Sequence, residues 1–162
     1  MKTLLRTLLY LALIVWLGAE VFFPVVADVT FMNQSNTHLA GTIVGELLRI
    51  LHAMGLVAGI VAIILLALAP VWNIYKSKSV LAPMVLLALM LACTAYSQFS
   101  ILPAMERDRI AAGGAIDMTN RANPITADFN RLHNRSTHVE EAVLLLGLVT
   151  VVLVAHAETV RA

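Results

Sequence analysis

Residues 53–72 read AMGLVAGIVAIILLALAPVW, twenty residues without a charge. That is about the length a helix needs to cross the hydrocarbon of a bilayer. No water is available there to satisfy a backbone, so the segment must be helical. Three further apolar stretches flank it, at residues 7–27, 80–103 and 142–155. Across the whole chain 60% of residues are hydrophobic and 13% charged. A soluble domain carries about 25% charged residues. A single 162-residue core could not hide so much apolar surface, so lipid must cover the remainder.

The expected architecture is all-α: one integral membrane four-helix bundle over residues 1–162, with spans near 7–27, 47–70, 80–103 and 137–156. Helix 2 is expected to begin near Thr37 and to break near Pro70. Helix 4 is expected to reach back to Thr126, with Pro124 as a start signal. Long second and fourth helices would then protrude on one membrane face. The connections would be a short polar loop at 28–36, a shorter one at 73–79, and a long one at 104–125 containing Gly113 and Gly114. The start of the chain imitates a signal peptide, but its apolar region is too long for one and reads as a retained anchor.

Lys2, Arg6, Lys76, Lys78 and Arg161 fall on one side, and the first loop has neither Lys nor Arg. The positive-inside rule therefore places both termini in the cytoplasm. Arg107, Arg109, Arg121, Arg131 and Arg135 on the opposite side argue against it, beside Glu106, Asp108, Asp117 and Asp128. A net charge of +1 and the lack of a basic patch give no reason to expect a nucleic-acid partner. The lone Cys93 excludes an intrachain disulfide and reads as core filler.

Connectivity alone brings the end of helix 1, the start of helix 2, the end of helix 3 and the start of helix 4 to one membrane face. Glu20, Glu46, Arg49, His52, Gln98, Glu106, His133, Ser136, His138 and Glu140 lie there. Ionisable groups inside a membrane are costly and are functional candidates by default. Glu20 is the hardest to dismiss as wetted, because seven residues of apolar chain follow it. Glu46 and Arg49 are spaced i,i+3 and suit an ion pair. A cross-helix pair between Arg49 and Glu20 is the preferred expectation.

On helix 2, Gly41, Gly45, His52, Gly55 and Gly59 share one sector. Their small-xxx-small spacing fits close helix packing. The sharper alternative is a flat cofactor lying against Gly55 and Gly59 while His52 reaches its metal. On helix 4, His133, Ser136 and Glu140 lie on one stripe. A histidine facing a bundle interior serves as a packing group, as a haem or metal ligand, or as a proton-relay group. The ligand reading takes His52 and His133 as ligands of haem b or a transition metal, with Glu20 and Glu140 as further candidate metal ligands. Gln98, Ser136 and Glu140 would orient the imidazoles. The spacing of His38 and His52 fits a dihaem helix, but helix 4 lacks the counterpart.

These residues resemble the transmembrane-protein-205 family of four-helix membrane proteins. The resemblance rests on Trp16-Leu17-Gly18-Ala19-Glu20 with Phe22-Phe23, and on His52-Ala53-Met54-Gly55. It continues in Cys93-Thr94-Ala95-Tyr96-Ser97-Gln98-Phe99, Pro103-Ala104-Met105-Glu106, Phe129-Asn130-Arg131-Leu132-His133 and Ser136-Thr137. It implies the fold, a membrane location and the His52/His133 pattern. In architecture the chain is also similar to copper-resistance D and cytochrome-b-like membrane proteins, some of which hold haem through helix-borne His. That is a fold-level analogy.

Three functions follow as expectations. One is a haem or metal site, redox-related, near the extracytoplasmic face. Another is a structural or accessory subunit of a larger membrane complex, a pigment or electron-transfer assembly, with other membrane subunits or further copies of itself as partners. The last is a cation or small-molecule transporter.

Overall fold

The computed structural model describes residues 2–114, 116, 120 and 122–159. Arg161, Asp117 and Arg121, which enter the orientation argument, lie outside the described residues. The chain folds as α1 (Lys2–Asn33), α2 (Thr37–Leu68), α3 (Ser77–Tyr96), a π-helical turn (Ser97–Ile101), α4 (Leu102–Ala111) and α5 (Pro124–Thr159). No strand occurs among the described residues. α1 packs on α2, α2 on α3, α3 on α5, and α5 returns to α1. The result is a closed four-helix bundle in which α3, the π-turn and α4 form one continuous rod.

Among the described residues, four helical rods are long and apolar enough to cross a membrane. The protein is a multi-pass membrane protein. The rods run longer than the apolar stretches suggest. α1 has 32 residues and rises about 48 Å, against a hydrocarbon core of about 30 Å. The first loop therefore shrinks from the expected 28–36 to residues 34–36. Asn36 ends it by capping α2, its Oδ1 accepting from the backbone N–H of His38 and Leu39. Likewise the third rod continues through the π-turn to Ala111 instead of ending near 103. Polarity marks where a helix leaves lipid, not where its backbone hydrogen bonds stop. The protrusion thus involves all four rods.

On the side of the bundle nearer the chain termini lies an apolar layer of Leu9, Leu13, Leu66, Leu87, Met90 and Val154, each 1% exposed or less. Beyond it, at the end holding both chain termini, Tyr75 donates to Glu158 Oε1 at 2.5 Å and Arg6 Nε lies 3.4 Å from the same oxygen. The Arg6 guanidinium also sits 5.7 Å from the Tyr75 ring centre. The α2–α3 turn is held at Asn73, which adopts φ 51°, a region Asn enters more readily than most residues. At the opposite end Arg109 clasps α4 to the start of α2. It donates to Glu106 (2.8 and 2.6 Å) and Thr42 (2.7 Å), and its Nη1 lies 3.0 Å from His38 Nδ1.

Candidate functional site

α2 turns His52 fully into the bundle, where its side chain is 0% exposed. Its Nδ1 lies 3.0 Å from Gln98 Oε1 and its Nε2 lies 2.9 Å from Glu140 Oε1. Ser97 Oγ donates to that same Glu140 oxygen at 3.0 Å. Three rods therefore meet at one imidazole. The π-turn makes this possible. In a regular helix neighbouring residues diverge by about 100°, yet here Ser97 and Gln98 both serve the cluster. Single π-turns of this kind recur at functional sites.

The fourth rod contributes Glu20, 5% exposed. Trp16, one turn earlier, donates its indole N–H to Glu20 Oε1 at 3.1 Å. Glu140 and His52 lie within electrostatic reach of Glu20. Glu140 Oε2 and Thr94 Oγ1 are buried with no hydrogen-bond partner among the described residues.

Both oxygens that meet His52 are acceptors. With Gln98 presenting its carbonyl, both ring nitrogens donate and the ring is an imidazolium facing a carboxylate. Rotating the Gln98 amide by half a turn puts its NH2 against Nδ1. The ring is then neutral and donates only from Nε2 to Glu140. The same four side chains satisfy either state without a backbone shift.

Gly55 and Gly59 do make room, but for Trp16. A Cβ on Gly55 would stand 2.5 Å from Trp16 Nε1, and one on Gly59 would stand 2.5 Å from Trp16 Cζ3 and 2.7 Å from Leu91 Cδ2. The groove expected to receive a flat cofactor is filled by an indole. This is the close packing that small residues permit between membrane helices. Gly41 and Gly45 have no such neighbour.

His133 is a correction to the sequence reading. It is exposed and stacks on Phe129, with ring centroids 6.4 Å apart and planes 5° from parallel. α5 extends so far beyond the lipid-spanning part that His133 emerges with its protruding end, and the inward position falls to Glu140 two turns later. Ser136 is buried but does not bond His52. The expected Glu20–Arg49 pair does not form either. Arg49 Nε sits 3.8 Å from Glu46 Oε1 on its own helix, and Glu20 takes the Trp16 indole instead. His138 faces outward, 3.1 Å from Glu141. Among the described residues no group of three or more His, Cys, Asp or Glu has metal-site geometry. A haem b or transition-metal ion at His52 does not fit this arrangement: both ring nitrogens are engaged and the adjacent groove is occupied.

Sequence reasoning assigned no role to Trp16 or Ser97 in the cluster. Trp16 carried a signal, its i,i+4 spacing to Glu20. Ser97 carried none, because a π-turn leaves no clear mark in the pattern of apolar residues.

The family described as a domain of unknown function, DUF4149, matches residues 11–110. The chain belongs to the DUF4149 family. The matched segment contains Trp16, Glu20, His52, Gly55, Gly59, Ser97 and Gln98, while Glu140 lies beyond it. No curated protein and no solved structure matches the chain. The DUF4149 match extends neither to the transmembrane-protein-205 resemblance nor to copper-resistance D domains.

Proposed function

We propose that this DUF4149 member is a proton-binding membrane protein, with the proton held in the His52–Glu140–Gln98–Ser97 cluster beside Glu20. The observation that carries this reading is the pairing of His52 with one carboxylate and one reversible amide. A half-turn of Gln98 accommodates the ring with or without its second proton, so uptake needs no rearrangement of the helices. Glu20 adds a second carboxylate in the same low-dielectric surroundings, where charge on one member acts strongly on the others. The apolar layer from Leu9 to Val154 lies between this cluster and the other end of the bundle. That arrangement favours binding and sensing over transport through the membrane. The positive-inside bias assigns both termini to the cytoplasm, so the cluster lies toward the extracytoplasmic face.

Infrared difference spectroscopy across a pH jump tests the proposal. The expected result is a change in a protonated-carboxyl signal that disappears in Glu20→Gln or Glu140→Gln. A folded protein whose only pH-dependent carboxyl signals survive both substitutions would overturn it.

A further inference from the structure

We infer that the end of the bundle opposite the polar cluster carries a binding site for the headgroup of an anionic phospholipid. Lys2, at the start of α1, donates its ammonium to the carbonyl oxygen of Asn73 at 3.0 Å. That bond ties α1 to the α2–α3 turn, which runs on into Lys76. Arg6 follows one helical turn later over the Tyr75 ring. Lys76 and Lys78 flank the first residues of α3, both exposed and without an ion-pair partner among the described residues. Against these four cations stands one carboxylate, Glu158, bound by Arg6 and Tyr75. The described side chains therefore leave an excess of three positive charges (4 − 1) on one small face.

Three features fit a lipid headgroup at this place. The cations lie where apolar helix gives way to a polar turn, the depth of the phosphate layer. Trp72, half-buried, occupies the same turn, where an amphipathic ring settles at the membrane interface. The N-cap residue of α3, Lys76, makes no side-chain cap hydrogen bond, so the helix start adds to the positive potential there. Lys2 and Arg6 are committed to Asn73 and Glu158, whereas Lys76 and Lys78 are free to meet a phosphate. Juxtamembrane lysines of this kind contribute mainly through charge and act within about a Debye length.

The test uses the full chain in an uncharged detergent. Thermal stabilisation is titrated with phosphatidylglycerol, with phosphatidylcholine and with inorganic phosphate, and apparent affinities are derived from the shifts. Phosphatidylglycerol should bind at least about tenfold more tightly than phosphatidylcholine. The variant Lys76→Gln/Lys78→Gln should weaken phosphatidylglycerol binding roughly 25-fold, about fivefold per lysine, and leave phosphatidylcholine unchanged. Arg107→Gln, at the other end, should match the wild type. Equal affinity for the two lipids would overturn the inference. So would an unaltered double variant, or equal protection by free phosphate at the same concentration.

Discussion

Carboxylates drawn into the bundle lie on both sides of the apolar layer, Glu20 buried and Glu140 and Glu158 half-buried, and their surroundings differ. Glu158 is met by a guanidinium and a phenol, Arg6 and Tyr75. It has a cation that stays charged at any accessible pH, and the group serves as a lock. Glu140 is met by an imidazole and a serine, and Glu20 by an indole. No Lys or Arg is paired with either among the described residues; the cation nearest in sequence to His52, Arg49, is held by Glu46. Among the described residues the cluster thus sets an imidazole against its carboxylates, and the terminal end a guanidinium. One arrangement sets its carboxylate against a permanent cation, and the other against groups that can exchange protons.

The sharpest way to break this contrast is Glu140→Leu. It strips His52 Nε2 and Ser97 of their shared acceptor inside the bundle. It should lower stability by about 3–5 kcal/mol, read from thermal unfolding in detergent. The double variant His52→Leu/Glu140→Leu should recover most of that loss, because a well-packed apolar pair in place of a buried polar one is often neutral or better. Failure to recover would make the cluster structural glue and remove the contrast.

Tyr75→Phe examines the lock. Loss of the bond to Glu158 should cost about 1.5–3 kcal/mol, since the acceptor is charged. Burial, followed by the hydrogen bond to Glu158 and its charge, raises the Tyr75 pKa above its usual 10.0. The folded state therefore favours the protonated phenol. That stabilisation is complete below about pH 10 and declines as the pH rises further toward the folded-state value. Tyr75→Phe should abolish this part of the alkaline loss in a pH series of unfolding curves.

Gly59→Leu should displace Trp16 and Leu91 and cost about 1–3 kcal/mol. Because Trp16 also holds Glu20, the same variant should alter the carboxyl infrared signal. An intact signal would uncouple the groove from the cluster. His133→Ala should have the smallest effect, within about 0.5 kcal/mol, as expected for an exposed side chain away from the cluster. A large loss of stability would return His133 to the site.

Much of this was legible in the residues themselves. The charge-free run at 53–72 and its three companions fixed the number and type of helices. Connectivity then fixed which ends share a face, and that brought Glu20, His52, Gln98 and Glu140 into one half of the bundle. Depth and rotation were not legible. His133 and Glu140 lie seven residues apart on nearly the same stripe, and only the length of α5 beyond the membrane decides which one faces His52. Arg49 was equally free, by sequence, to pair along its helix or across to Glu20.

The local pattern of apolar and polar residues determined that the described residues form four helices fit to cross a bilayer, because an unsatisfied backbone in lipid leaves only the helix. Tertiary structure alone decided what meets what. It put the Trp16 indole in the Gly55–Gly59 groove, and the π-turn turned Ser97 and Gln98 inward together. Side-chain partners depend on the relative rotation and axial shift of separate helices, set by packing between residues distant in the chain, and no local periodicity records them.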